Sequence, residues 1–204
     1  MRFRDYKIFR QGHFYHVYNR GVNKQPIFLD SQDFYNFIKR VNLTLGLTRG
    51  ILGEKNRIKA LPDGAFAILC YCLMPNHFHF LIRQNSEIGL EKLIQKVTTS
   101  YAIYFNKKYD RVGAVYQDAF KAKIVDSDSY LTYLSAYIHR NPENYLDYDF
   151  SSIKDYLQGR GGKLCDTSFI LGMFNNDPRQ YQKFLMEVYP KDCDKIKELV
   201  FEED

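Results

Sequence analysis

The hydrophobic and polar positions of the chain follow two alternating periods. His13 to Arg20, HFYHVYNR, places ring and polar side chains in turn and stops at Gly21, as a half-buried strand does before a turn. Beyond Pro26 the period lengthens. Phe34, Phe37, Ile38, Val41 and Leu45 recur at helical spacing behind Asp30 or Ser31 as cap, which predicts a helix ending near Gly46. Residues 48–64 mix Gly, Pro and charge with no sustained period and predict a loop. Phe66 to Leu73, FAILCYCL, is a continuous run of strand formers, and HFHFLIR follows directly after Met74-Pro75-Asn76, so two strands joined by a tight turn are expected. Leu90, Leu93, Ile94, Val97, Tyr101, Tyr104 and Phe105 mark a second amphipathic helix that ends in Lys107 and Lys108. Alternation returns from Val115 to Val125, with Gln117, Lys121 and Lys123 on one face and Tyr116, Phe120 and Ile124 on the other. Ser127 or Asp128 caps the helix SYLTYLSAYIHRN, which Pro142 closes. Residues 150–204 read as short helices packed on the main body.

The order β, α, β, β, α, β, α suits an α+β fold, a ferredoxin-like antiparallel sheet with packed helices and a C-terminal helical extension. The expected division is a unit over residues 1–149 and an extension over 150–204, with the turn region Tyr145 to Ser151 as boundary. With 204 residues, 45% hydrophobic and 26% charged, the chain can bury a core. No uncharged apolar run approaches the roughly 18 to 20 residues of a membrane span. The opening MRFRDYKIFRQGHFY carries charge without an apolar signal stretch, so a cytoplasmic location is expected. Four cysteines lack the paired spacing of zinc sites and are expected as small buried thiols. A formal charge of +5 excludes little, but its distribution is uneven. Bases dominate from Met1 to Lys24, and acids outnumber bases after Asn176.

Two spacings carry candidate chemistry. His77 and His79 stand two apart on a predicted strand, so both imidazoles project from one face and can reach one cation, while Phe78, Phe80 and Ile82 point inward. The same spacing also suits two histidines on a solvated strand face. Tyr137 and Asn141, four apart, share a helical face, so a phenol and a carboxamide border one pocket. Tyr130, Tyr133 and Tyr137 equally form an aromatic stripe of the kind that fills cores.

Four segments taken in order, YHVYNRG, CLMPNHFHFLI, GAVYQDAFKAKIV and YIHRNP, closely resemble the single-tyrosine HUH transposases, including the REP-associated tyrosine transposases. The resemblance covers roughly residues 12 to 175. It implies that His77 and His79 are metal ligands, that Tyr137 is the nucleophile and that Asn141 completes the metal site, where relatives often carry glutamine. It also implies a divalent ion, Mg²⁺ or Mn²⁺, with imidazole ligands favouring Mn²⁺. Attack by Tyr137 on phosphorus would give a 5′-phosphotyrosine and a free 3′-hydroxyl. The implied substrate is single-stranded or hairpin DNA, with Arg20, Lys24, Gln117, Lys121, Lys123 and Arg140 as candidate phosphate contacts. His139 falls on another helical face and is expected to pack or touch phosphate, and Tyr133 is assigned to packing. A homodimer sharing active sites remains open. So do two other readings, a catalytically silent DNA-binding regulator and a replication-initiator or relaxase-type HUH endonuclease.

Overall fold

Strand alternation sorts the side chains of one sheet into two separately covered faces. The computed structural model describes residues 9–48 and 58–187. Its elements are β1 (Phe14–Arg20), α1 (Ser31–Thr44), β2 (Phe66–Met74), β3 (His77–Gln84), α2 (Leu90–Lys108), β4 (Lys121–Val125), α3 (Asp128–His139), α4 (Ile153–Leu157), α5 (Ser168–Gly172) and α6 (Pro178–Glu187). The strands form a four-stranded antiparallel sheet in the order β2-β3-β1-β4, the ferredoxin-like arrangement expected of βαββαβ. Among the described residues, no helix is long and apolar enough to cross a membrane.

One face of the sheet, with Tyr15, Val17, Phe78, Phe80 and Ile82, packs under α1 and α2. Phe37 of α1 is sealed against Phe28, Phe78, Phe80 and Tyr101, a burial that contributes about 2–3 kcal/mol. Asp30 caps α1 by accepting from the Asp33 N–H. The two helices are tied by Lys108, whose Nζ lies 2.7 Å from both Asp30 Oδ2 and Asp33 Oδ1. Asp33, fully covered, also accepts from Leu29 N–H, Tyr109 and Tyr104.

The other face packs under α3 to α6. A register shift between Ile68 and Cys70 turns both Leu69 and Cys70 toward this layer, while Ile68 and Tyr71 face the opposite one. Cys70 and Cys72 are buried thiols as expected, Cys165 is partly buried, and Cys193 lies outside the described residues. The segment after α3 runs along the edge of β2, where Phe150 O accepts from Leu73 N–H and Tyr71 O accepts from Ser152 N–H, so that edge is covered.

Two expectations about the elements need correction. The alternation from Val115 begins too early, because residues 116–119 form a bridge and bends, and β4 starts only at Lys121. Gln117 therefore leaves the strand, its N–H donating to Arg20 O. The helix expected to run to Pro142 stops at His139 with Arg140 as cap, so Asn141 lies in the following turn. Pro142 explains the early stop, since it disfavours helical backbone at the residue before it. Of the expected loop 48–64, residues 49–57 are outside the described chain, as is the acidic tail from 188 onward.

Candidate active site

The antiparallel register places Arg20 opposite His77, Tyr18 opposite His79, Lys121 opposite Tyr18 and Lys123 opposite His16. Period-two alternation then gathers His16, Tyr18, Arg20, His77, His79, Lys121 and Lys123 on the face that α3 covers. Neither histidine of the H-x-H pair is on a freely solvated face: His79 is 1% exposed and His77 is half-buried. Their rings meet edge to face, centroids 5.0 Å apart.

Hydrogen bonds fix how each imidazole presents itself. Asn76 donates Nδ2–H to Lys24 O at 3.1 Å, which leaves its Oδ1 to accept from His77 Nδ1–H at 2.6 Å. The lone pair of His77 Nε2 then faces Asn141 Oδ1 across 3.1 Å. A nitrogen lone pair opposite a carbonyl oxygen is favourable only with a cation between them or with the Asn141 amide turned to donate. Adjacent ligands of an octahedral ion with bonds of about 2.1 Å stand about 3 Å apart, so the spacing fits a small divalent cation. His79 Nδ1 is bonded to His16 Nε2 at 3.0 Å, and His79 Nε2, buried, has no hydrogen-bond partner among the described residues. Among those residues no three His, Cys, Asp or Glu side chains cluster for a metal, so a third protein ligand would have to be a group such as the Asn141 carbonyl.

The electrostatics suit ligation. Burial lowers the pKa of His77, opposed by the Asn141 contact and assisted by the Arg20 charge. Burial holds His79 well below the ordinary value, with His77 and His16 adding to the effect. Burial, then the charge of Lys123, lowers His16 to about 3. All three rings are neutral at neutral pH, which leaves nitrogen lone pairs available.

Tyr137, on α3, meets this group from above. Its ring lies edge-on to His79 at 5.6 Å and to His16 at 6.5 Å between centroids. It is 3% exposed and shares a cluster with Leu81, Leu134 and Ile138. The phenol therefore adjoins the imidazoles but is covered. Asn141 reaches His77 from a turn rather than from the helical face that the spacing suggested.

Other candidates take different places. Arg20 donates Nε–H to Gln117 Oε1 at 2.8 Å beside His77. Lys121 and Lys123 extend the basic face along β4. Lys24 is exposed in the turn after β1, and its carbonyl, bonded to Asn76, is what touches the site. Arg140 is directed away, with Nη1 donating to Leu185 O at 2.7 Å and the guanidinium over the Tyr145 ring. Tyr133 packs on Phe184. His139 is fully buried and touches no open surface, so its phosphate-contact alternative is withdrawn. Tyr181 donates to Ser135 Oγ, so His139 Nδ1–H donates to Tyr181 at 2.7 Å and Nε2 accepts from Ser152 Oγ at 2.8 Å. That network bonds α3 to α6 and to the segment on β2. His16 and Asn76 escape a spacing argument. His16 pairs across strands with His79, and Asn76 acts through the turn before His77.

Comparison with known proteins gives a family match over part of the chain and a similar fold. Residues 57–141 match the family described as transposase, IS200-like. A solved REP-associated tyrosine transposase bound to a REP hairpin is similar at a TM-score of 0.55 and 14% identity, covering 78% of this chain and 92% of that one. A candidate transposase from Deinococcus radiodurans gives a TM-score of 0.40 and 9% identity over 68% of this chain and 95% of its own, a likeness that carries no argument. No curated protein matches the sequence.

Proposed function

We propose that this chain, whose residues 57–141 match the IS200-like transposase family, is a transposase that nicks and rejoins single-stranded DNA beside a hairpin through Tyr137. The observation that carries this reading is the approach of Tyr137 to His79, 5.6 Å between ring centroids, with His77 and Asn141 alongside in the same chain. His77 Nε2, His79 Nε2 and Asn141 Oδ1 would hold a divalent ion, Mg²⁺ or Mn²⁺. Such an ion, when bound, neutralises charge on the scissile phosphate.

The chain's own residues do the rest. Tyr137 Oη forms the bond to phosphorus as the bond to the 3′-oxygen breaks, and the energy of the phosphodiester is kept in a 5′-phosphotyrosine for rejoining. The phenol, protonated at neutral pH because an ordinary tyrosine pKa is near 10, gives up its proton as it attacks, and the departing 3′-oxygen takes one up to leave as a 3′-hydroxyl, so no net proton is lost. Arg20, Lys121 and Lys123 border the site and attract the phosphate backbone. Gln117 orients Arg20, and Lys24 lies nearer the margin of the DNA path, while Arg140, turned toward Leu185 and Tyr145, is left out of it. Hairpin DNA is supported as partner by the solved relative, which is bound to one. On this reading residues 1–149 are the catalytic unit and 150–204 an extension, whose described part, to residue 187, braces α3.

Because Tyr137 is 3% exposed between α3 and the sheet, DNA reaches the phenol only if its surroundings rearrange, which couples binding to exposure of the nucleophile. The same burial favours a second reading, a DNA-binding regulator that does not cut. Incubating the full chain with 3′-labelled hairpin oligonucleotides and Mn²⁺, followed by denaturing gels, separates the two. A labelled covalent adduct that disappears in Tyr137→Phe supports cleavage. Hairpin binding with no adduct supports the regulator, and an adduct that survives Tyr137→Phe removes Tyr137 from the mechanism.

A further inference from the structure

We propose that His16 is a positioning residue that fixes His79 as a ligand with its Nε2 bare, by accepting the His79 Nδ1 proton. This rests on the metal-site reading above. The two rings are nearly parallel, 13° between planes, and His16 Nε2 lies 3.0 Å from His79 Nδ1. Only one proton fits in that contact. If His16 donates it, the remaining proton of neutral His79 sits on Nε2 and blocks coordination there. If His79 donates it, the buried Nε2 carries a lone pair free to coordinate. A ligating imidazole whose other nitrogen donates to a fixed acceptor is held in one tautomer and one orientation, and its basicity is raised.

The surroundings of His16 supply that fixed acceptor. The side chain is 0% exposed and stacks on Tyr18, its centroid 4.9 Å away, while Tyr137 meets its edge. Strand pairing with Leu81 and Lys123 on either side anchors its backbone. The ring cannot swing away without disturbing β1, the central strand that carries it. His77 is oriented by the same logic from Asn76, so each imidazole of the pair donates Nδ1–H to its own acceptor and leaves its Nε2 bare. His16 touches no candidate substrate group, and its effect passes through His79.

Mn²⁺ binding to the full chain, measured from loss of the free-ion electron paramagnetic resonance signal, tests this without recourse to activity. His16→Leu is expected to weaken Mn²⁺ binding about 10- to 100-fold. His16→Gln, whose carboxamide oxygen can accept from His79 Nδ1–H, is expected to restore most of it. Equal binding by wild type and His16→Leu overturns the proposal, and so does His16→Gln as weak as His16→Leu, which indicates packing alone. Nitrogen-15 spectra of the Mg²⁺-loaded wild type decide the matter even where His16→Leu fails to fold: a proton on His79 Nδ1 supports the assignment and one on Nε2 refutes it. His77→Ala and His79→Ala are the controls. If both bind Mn²⁺ like wild type, the metal site itself is wrong and the role of His16 falls with it. If both lose binding while His16→Leu does not, only the role of His16 fails.

Discussion

His77 Nε2 and Asn141 Oδ1 stand 3.1 Å apart although 64 positions separate them in the chain. The contact joins the first residue of β3 to the turn that follows α3, and so ties the H-x-H strand to the tyrosine helix. Asn141→Ala is expected to weaken Mn²⁺ binding by about tenfold while leaving the thermal midpoint nearly unchanged, since the residue is only half-buried. Asn141→Asp keeps the oxygen, adds a negative charge and should bind Mn²⁺ more tightly than wild type. Titration calorimetry of the three proteins checks the order Asp, Asn, Ala.

The buried hydroxyl of Tyr181 accepts from His139 and donates to Ser135. Tyr181→Phe leaves both groups without that partner in the dry layer between α3 and α6. A loss of about 1–3 kcal/mol in urea unfolding is expected. A value near zero would show that water enters and replaces the hydroxyl.

Acid should act through Asp33. Burial alone would raise its pKa, but hydrogen bonds from Lys108, the Leu29 N–H, Tyr109 and Tyr104 outweigh it and hold the carboxyl below its ordinary 3.8. The unfolded chain therefore takes up this proton at higher pH than the folded one. The stabilisation is complete above the ordinary carboxylate range and is lost as pH falls through the folded value. Stability between about pH 5 and 3 should decline less steeply in Asp33→Asn than in wild type, although the variant starts lower at neutral pH. Parallel slopes would place the acid response elsewhere.

Lys121 and Lys123 flank the proposed site on β4. If each meets one phosphate of a single strand, replacing both with alanine should reduce the slope of log affinity against log salt by about 1.4, at about 0.7 per contact. Anisotropy titrations across a salt series measure this. An unchanged slope would put the DNA path off β4.

Gly21 holds the turn that carries Lys24 to Asn76. Its φ of −64° is ordinary, so the constraint is space: an added Cβ would fall on the Gln25 carbonyl oxygen and on Ile27 Cγ2. Gly21 N–H donates to Asn76 O at 2.8 Å, so the strain passes to the residue that orients His77. Gly21→Ala is expected to cost about 1–3 kcal/mol and to weaken Mn²⁺ binding as well. Calorimetric melting and a cation titration on the same sample test whether the two losses occur together.

Local periodicity in the sequence determined a good deal. The strand that carries His77 and His79, the placing of Phe78 and Phe80 in the core and the helix that carries Tyr137 all follow from side-chain geometry within one element. Pro142 signalled the end of α3, but the helix stops at His139, where the cap closes on the Ala136 carbonyl. Lys121 and Lys123 were legible as one face of a strand. Gln117 was not, because a bridge to Gly21 and a bend break the alternation ahead of β4.

Only the tertiary structure decided what meets across elements. That His16 bonds His79, that Asn141 reaches His77 from a turn, and that His139 is shut in by Tyr181 and Ser152 all depend on strand register and on which sheet face each helix covers. Those choices are fixed by the summed burial of two layers. No spacing within one segment encodes them, because the partners lie far apart in the chain and come together only when both faces of the sheet are closed.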